Sequence, residues 1–340
     1  KLYGFNAVAW ANNHTLDYAY DGLSLTAHYL NKYGFIHAGV GANLAEAASP
    51  KYVETPNGRV ALIAATSTFN ETWTAGEQRP DMQGRPGINP LRYQTSYIVT
   101  TEQMNQLRQI AETTGINSYY NLMVKEGFAV GAGEHEFRFG EAVFVEESAV
   151  DDAEAAPKNE NALRNRTEPD PRDVHRIIKA IAEAQRQADV VIVSIHSHEA
   201  AFLQEFAREC IEQGAHAVIG HGPHVLRGIE IYKERPIFYS LGNFIFQNDT
   251  VAKLPQDFYE KYGLGLETQV GEALDKRSDG GKKGLGANPD VWSSVIPIWK
   301  MSGGKLVDMR LYPIELGFGL PGYRRGWPRL SQNKGILEQL

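Results

Sequence analysis

The sequence predicts an α/β layered fold. Strand-like apolar runs alternate with helix-like stretches through much of the chain, several of those runs are apolar on both faces, and glycine and proline punctuate the joins between them. With 340 residues, 42% of them hydrophobic and 22% charged, there is ample material for a core, and disorder or a collagen-like repeat is excluded. The 34 Lys and Arg against 41 Asp and Glu leave a formal net charge of -7, so no general basic field exists to hold a nucleic-acid backbone, and no nucleic-acid partner is expected.

The elements follow in order. Phe5 to Trp10 is a short apolar strand, and Gly22 to Tyr33 has helical spacing before a helix-ending Gly34. Arg59 to Ala65 is a further strand. Residues 70 to 100, with Pro80, Pro86 and Pro90 among glycines, read as a long structured loop, after which Glu102 to Thr114 is helical and stops at Gly115. Acidic residues gather between Glu141 and Glu160 (Glu146, Glu147, Asp151, Asp152 and Glu154 among them), which makes either a solvated loop or an acidic surface. Pro171 opens a helix whose apolar face is Val174, Ile177, Ile178 and Ile181, and Val190 to Ile195 is the clearest strand of the chain. A helix from about Ala201 to Gln213, strands at Ala217 to Ile219 and Ile237 to Leu241, and a hairpin of Val291 to Met301 with Lys305 to Ile314 around Gly303 and Gly304 complete the pattern. No internal repeat is visible, and a single domain over 1–340 with an elaborate loop layer is expected. The opening KLYGFNAVAW carries no targeting signal and reads as the end of a helix or loop entering a strand, and no 18-residue apolar run predicts a membrane span.

Chemistry collects after strands, where ligands bind in open α/β sheets. Four strand ends carry polar clusters: Asn12, Asn13, His14 and Asp17; His196, Ser197, His198 and Glu199; Gly220, His221, Gly222, Pro223 and His224; and Gly242 with Asn243. The first is a capped turn or a functional turn. In an extended segment His196 and His198 point to one face, where they would meet a metal near Glu199, or be one satisfied and one solvated imidazole. The glycines around His221 and His224 let the backbone turn tightly while two imidazoles are offered within four positions, a metal-binding pattern. Asn243 either supports a site or forms a Gly-Asn turn. The lone Cys210 excludes intramolecular disulfides and cysteine-based zinc ribbons, so a metal falls to His, Asp, Glu or Asn. Neither a G-x-S-x-G elbow, a phosphate-binding G-x-x-x-x-G-K-[ST] loop nor a G-x-G-x-x-G turn occurs, which removes the main support for serine hydrolases, P-loop NTPases and Rossmann dehydrogenases.

Taken in order, ANNHTLD (11–17), HAGVGANLAEA (37–47), VSIHSHE (193–199), GAHAVIGHGPHVLRGIEIY (214–232) and PIFYSLGNFIFQ (236–247) resemble the bacterial capsule synthesis family linked to poly-γ-glutamate, the CapA/PgsA-like proteins. That family is itself similar to calcineurin-like metallophosphoesterases. The resemblance implies a four-layer αββα sandwich with a metal site at the strand ends, holding one or more divalent ions (Mn, Fe, Zn or Mg). It implies Asn13, His196, His221 and His224 as metal ligands, with His14 as proton donor beside Asp17 as the catalytic pair, and His198, Glu199 and Asn243 as supporting or substrate-binding residues. His221 and His224 are three apart, where the metallophosphoesterases usually have two. Family members carry, before the Asn-Asn-His turn, a Gly-Asp strand end and an Asn-x-Glu segment with further carboxylate ligands, and a longer loop after the position of Glu199.

The function so implied is metal-dependent hydrolysis of a phosphoester in capsule biosynthesis. Two others share the resemblance: cleavage or transfer of γ-glutamyl amide bonds at the same site, and non-catalytic binding or export of the polymer. The partners implied are a polyanionic polymer or a phosphorylated small substrate, together with membrane-bound capsule synthase components, in an extracytoplasmic or envelope-associated location. Arg324, Arg325 and Arg329 around Trp327 form a basic-aromatic cluster for such a polyanion, or else a solvated tail.

Overall fold

The computed structural model describes residues 3–150, 164–247 and 251–340. Its strands, in chain order, are β1 (Ala7–Ala9), β2 (Ile36–Ala38), β3 (Val40–Gly41), β4 (Lys51–Thr55), β5 (Gly58–Thr66), β6 (Gly87–Ile88), β7 (Tyr93–Val99), β8 (Glu136–Phe139), β9 (Ala142–Glu146), β10 (Asn165–Pro169), β11 (Val190–His196), β12 (Ala217–His221), β13 (Leu226–Tyr232), β14 (Arg235–Leu241), β15 (Ser293–Ser302), β16 (Lys305–Glu315) and β17 (Arg329–Leu330). The α-helices are α1 (Ala19–Lys32), α2 (Leu44–Ala48), α3 (Thr101–Thr114), α4 (Ser118–Lys125), α5 (Pro171–Gln185), α6 (Leu203–Glu212), α7 (Gln256–Tyr262) and α8 (Val270–Ser278). The chain is mixed α/β, as the alternation of apolar periods predicts. The chain gathers into two compact units, Lys1–Leu91 with Arg172–Leu340, and Arg92–Pro171.

The first unit is built on a six-stranded sheet of order β13-β14-β12-β11-β5-β4. β5, β11, β12 and β14 run parallel, and β4 and β13 pair antiparallel at the two edges. The parallel strands read as continuous apolar runs because side chains on both faces are covered. On one face Ala61, Ile63, Ala65, Val191, Val193, Ile195, Val218 and Ile237 pack with Ile177, Ile181 and Ala184 of α5 and Phe206, Ala207, Cys210 and Ile211 of α6. Cys210 is fully buried there and burial raises its thiol well above the ordinary value, so it is an inert core residue. The period of two then sends Ile192, Ser194 and His196 to the opposite face. On that face Phe238 of β14 meets Trp299 of the long β15–β16 hairpin, with ring centroids 5.4 Å apart.

The second unit is a four-stranded sheet of order β10-β7-β9-β8, with α3 and α4 between β7 and β8 in the chain. A capping box of Thr100 and Gln103 starts α3, and Gly115 in the left-handed region (φ 66) ends it. Two expectations are corrected here. Residues 70 to 100 are not loop throughout: Tyr93–Val99 is a seven-residue strand, whose β-branched and aromatic residues outweigh the prolines before it. The acidic stretch is not a uniform solvated loop either. Glu146 ends β9 with Arg108 at 3.6 Å, and Glu147 pairs with Arg164 at 2.8 Å. Asp151, Asp152, Glu154 and Glu160 lie outside the described residues.

Away from the strand ends, His216 ties β11 to β12. Its backbone N–H donates to the Val191 carbonyl at 2.7 Å, and the Val191 N–H donates to His216 Nδ1 at 3.0 Å. Accepting that bond requires an unprotonated Nδ1, and burial, helped by the Arg235 charge, holds the pKa of His216 below 6.5. The unfolded chain therefore takes up this proton before the folded one does as pH falls, so the contribution is complete above the unfolded value and is lost below it. In urea titrations stability is expected to decline as pH drops below about 6.5, and His216→Gln is expected to reduce that slope; an unchanged slope would contradict the role.

Candidate functional site

The C-terminal ends of β5, β11 and β12 are pinned together. The Ser67 N–H donates to the His196 carbonyl and the Ser197 N–H to the His221 carbonyl, at 2.9 and 2.8 Å. Ser67 Oγ donates to Ser197 Oγ at 2.8 Å, which passes the bond on to the Glu199 carbonyl at 2.7 Å, and Thr68 Oγ1 accepts from the His198 N–H at 3.1 Å. Gly222 turns the chain at φ +127, and a Cβ there would stand 2.9 Å from both the Ser197 carbonyl oxygen and the His198 ring. Only glycine fits this approach.

On this frame the histidines meet. In the parallel register Ile192, Ser194 and His196 stand opposite Ala217, Ile219 and His221. His196 Nδ1 lies 3.1 Å from His221 Nδ1, and His221 Nε2 lies 3.0 Å from Ser194 Oγ. Both nitrogens of His221 are thus engaged, while His196 Nε2 is buried with no hydrogen-bond partner among the described residues. The ring centroid of His198 is 5.3 Å from that of His196 and 6.2 Å from that of His224. His224, itself in the left-handed region (φ 65), is held by Asn243. The Asn243 amide Nδ2 donates to the carbonyls of Val291 and His224, so its Oδ1 is left to accept from His224 Nδ1 at 2.9 Å. That assigns the Nδ1 proton of His224, so that its neutral form would carry the lone pair on Nε2. Asn243 thus ties His224 to the Val291 backbone.

Burial lowers His221 to about 4, and burial together with the neighbouring imidazoles of His221, His198, His224 and His14 lowers His196 to about 3. His198 is lowered by burial and by His224. The buried rings are therefore neutral near pH 7, the state in which imidazole ligates a metal. The orphaned His196 Nε2 and the oriented His224 Nε2 are donors of the type a divalent metal takes, although among the described residues no three His, Cys, Asp or Glu side chains already converge on one point.

The turn after β1 brings His14 into electrostatic range of His196 and His198. Asn12, rather than Asn13, is its structural residue: Asn12 Oδ1 accepts from the His14 N–H at 2.8 Å and its backbone N–H donates to Thr15 Oγ1 at 3.0 Å. Asn13 takes no part in that hydrogen bonding. His14 Nδ1 is 2.8 Å from Asp17 Oδ2, in an exposed pair with side-chain exposures of 69% and 45%. Glu199 Oε1 accepts the N–H groups of Ala200 and Ala201 at 2.7 and 2.8 Å, so that oxygen closes its own turn. In the Arg324–Arg329 cluster, Arg325 lies over the Trp292 ring at 5.4 Å and Arg329 donates to the Arg324 carbonyl at 2.7 Å. Sequence reading missed Ser194, Ser67 and Thr68, whose signal was the period-two spacing of Ser194 with His196 on β11.

The chain matches the bacterial capsule synthesis protein PGA_cap over residues 1–123 and 129–248. It belongs to this family. The match spans all four strand-end clusters. Two proteins of Sinorhizobium fredii (strain NBRC 101917 / NGR234), y4sH and y4uA, are each 33% identical over 362 residues, which cover 100% of this chain and 72% of theirs. Family resemblance extends more locally to the PGA biosynthesis protein CapA of Bacillus subtilis (strain 168), 36% identical over 105 residues and 28% of each chain. The capsule biosynthesis protein CapA of Bacillus anthracis is 38% identical over 77 residues, 21% of this chain and 19% of its own. No helix among the described residues is long and apolar enough to cross a membrane.

The tautomer of His224 is directly measurable. Long-range 1H–15N NMR of the metal-free protein is expected to show a protonated Nδ1 and an unprotonated Nε2, and Asn243→Ala is expected to abolish that preference; a protonated Nε2 in the unsubstituted protein would refute the assignment.

Proposed function

We propose that this protein is a metal-dependent hydrolase acting in poly-γ-glutamate capsule synthesis, with a phosphoester as the bond it cleaves. The observation that carries the reading is the buried His196 Nε2, without a hydrogen-bond partner among the described residues, because a buried ring nitrogen left so is costly unless a ligand takes it. His196 and His224, each through Nε2, would hold the metal together with Asn13, while His221 sets the orientation of His196 and Asn243 that of His224. A bound divalent metal would polarise the scissile phosphoryl oxygen and bring a water towards ionisation at neutral pH.

The remaining roles belong to side chains at the surface. Asp17 Oδ2 accepts from His14 Nδ1, so that His14 Nε2 would be the atom that gives a proton to the leaving oxygen. Two features support the finer αββα architecture: α5 and α6 on one face of the main sheet, and the β15–β16 hairpin against Phe238 on the other. The capsule assignment draws on the family and on the two CapA relatives. An envelope location and contact with a membrane-bound synthase belong to the same reading.

The test is single-site substitution of His14 followed by assay on p-nitrophenyl phosphate, bis-p-nitrophenyl phosphate and a γ-glutamyl anilide in the presence of added Mn, Zn or Mg. His14→Ala is expected to lower kcat about 10²–10⁴-fold on a phosphoester, with metal content unchanged. Turnover confined to the anilide would move the reaction to amide cleavage. Salt-sensitive binding of poly-γ-glutamate with no turnover of any substrate would make the protein a binding component instead.

A further inference from the structure

The same face of the main sheet carries a charge that the roles above leave unused. His196 stands opposite His221, and continuing the parallel β12–β14 register (Ile219 opposite Phe238) by two residues brings His221 level with Ser240, which is paired with Arg227 on β13. Thr66 on β5 extends this row on the other side of His196. Residues in one row across a sheet share a face. Arg227 therefore lies on the histidine side, and its charge is among those that His198 senses.

Two other arginines of this unit are committed. Arg208 binds Glu230 at 2.8 Å, and Arg235 donates to the carbonyls of Ile211, Ala215 and Gly304. The Arg227 side chain has no ion pair or hydrogen bond among the described residues, and its Nη1 is buried. A guanidinium always carries its charge, so unlike a histidine it has no neutral form to relieve this. A half-buried cation with an unsatisfied donor, beside imidazoles that are neutral, is suited to an incoming anion.

We infer that Arg227 is the anion-recognition residue of the strand-end site, donating to an oxygen of a carboxylate or phosphoryl group on the substrate. The assignment rests on the reading of that cluster as a substrate site and narrows the substrate to one bearing such a group. Carboxylates of a γ-linked glutamate chain and a phosphoryl group offer the same oxyanion chemistry, so two probes are needed to tell them apart.

Calorimetric titration of the full chain with inorganic phosphate and with a γ-linked glutamate trimer tests it, on the unsubstituted protein, Arg227→Gln and Arg227→Lys, with bound metal measured in each. Arg227→Gln is expected to weaken binding about ten- to a hundredfold, Arg227→Lys is expected to retain part of it because the charge remains, and metal content is expected to be unchanged. A loss shown with phosphate assigns the phosphoryl group, and a loss confined to the trimer assigns the carboxylate. Equal affinities in a folded Arg227→Gln protein, or no binding of either probe by the unsubstituted protein, would overturn the assignment. If the unsubstituted protein holds no metal yet its anion binding depends on Arg227, the hydrolase reading fails while the arginine's role stands. If it holds metal and Arg227→Gln binds both probes undiminished, the reverse is true.

Discussion

Parallel pairing of β11 with β12 sets Ser194, His196 and His221 on one face and in hydrogen-bonding range, and the geometry of the site depends on that register. A shift of one residue would turn His196 into the α5–α6 layer and bring Ile195 to the site. The register is held from the other side of the sheet, where Val191, Val193 and Ile195 are fully buried among α5 and α6. Core packing on one face and the histidine cluster on the other are thus two consequences of a single alternation. The apolar face supplies the stabilisation that lets the polar face carry a buried nitrogen without a partner.

The electrostatics follow from the same burial. A ring of histidines is an ambiguous object, because protonated imidazoles repel a cation while neutral ones bind it. Here burial and mutual proximity keep His196 and His221 neutral well below pH 7. Arg227 is the exception to this neutrality, since a guanidinium does not lose its proton. The site therefore combines lone pairs suited to a metal with one fixed positive charge suited to an anion.

Much of this was legible in the sequence. The strand at Val190 to Ile195, the helix from Pro171 and the hairpin around Gly303 and Gly304 were plain because their apolar periods are long and their ends are marked. The strand-end position of His14, His196, His221, His224 and Asn243 followed from the same reading. What could not be read was the division of labour among them. Sequence spacing does not reveal that His221 spends both nitrogens on Ser194 and His196, that Asn12 rather than Asn13 closes the turn, or that Glu199 is occupied by the N–H groups of Ala200 and Ala201. Those facts depend on contacts between residues far apart in the chain or on side-chain rotamers. Arg227 was hidden for the same reason: its place in the row is set by three strand pairings, and nothing local marks it. The strand Tyr93–Val99 was obscured by prolines upstream that belong to the preceding segment.

The central claim, that the strand-end histidines hold a metal, is tested most directly by elemental analysis of the protein purified without chelators, beside its His196→Ala variant. The account predicts a divalent transition metal or magnesium near one equivalent or more in the unsubstituted protein, and its loss on substitution. Metal retained in full by His196→Ala, or none in the unsubstituted protein after incubation with Mn, Fe, Zn and Mg, would contradict it.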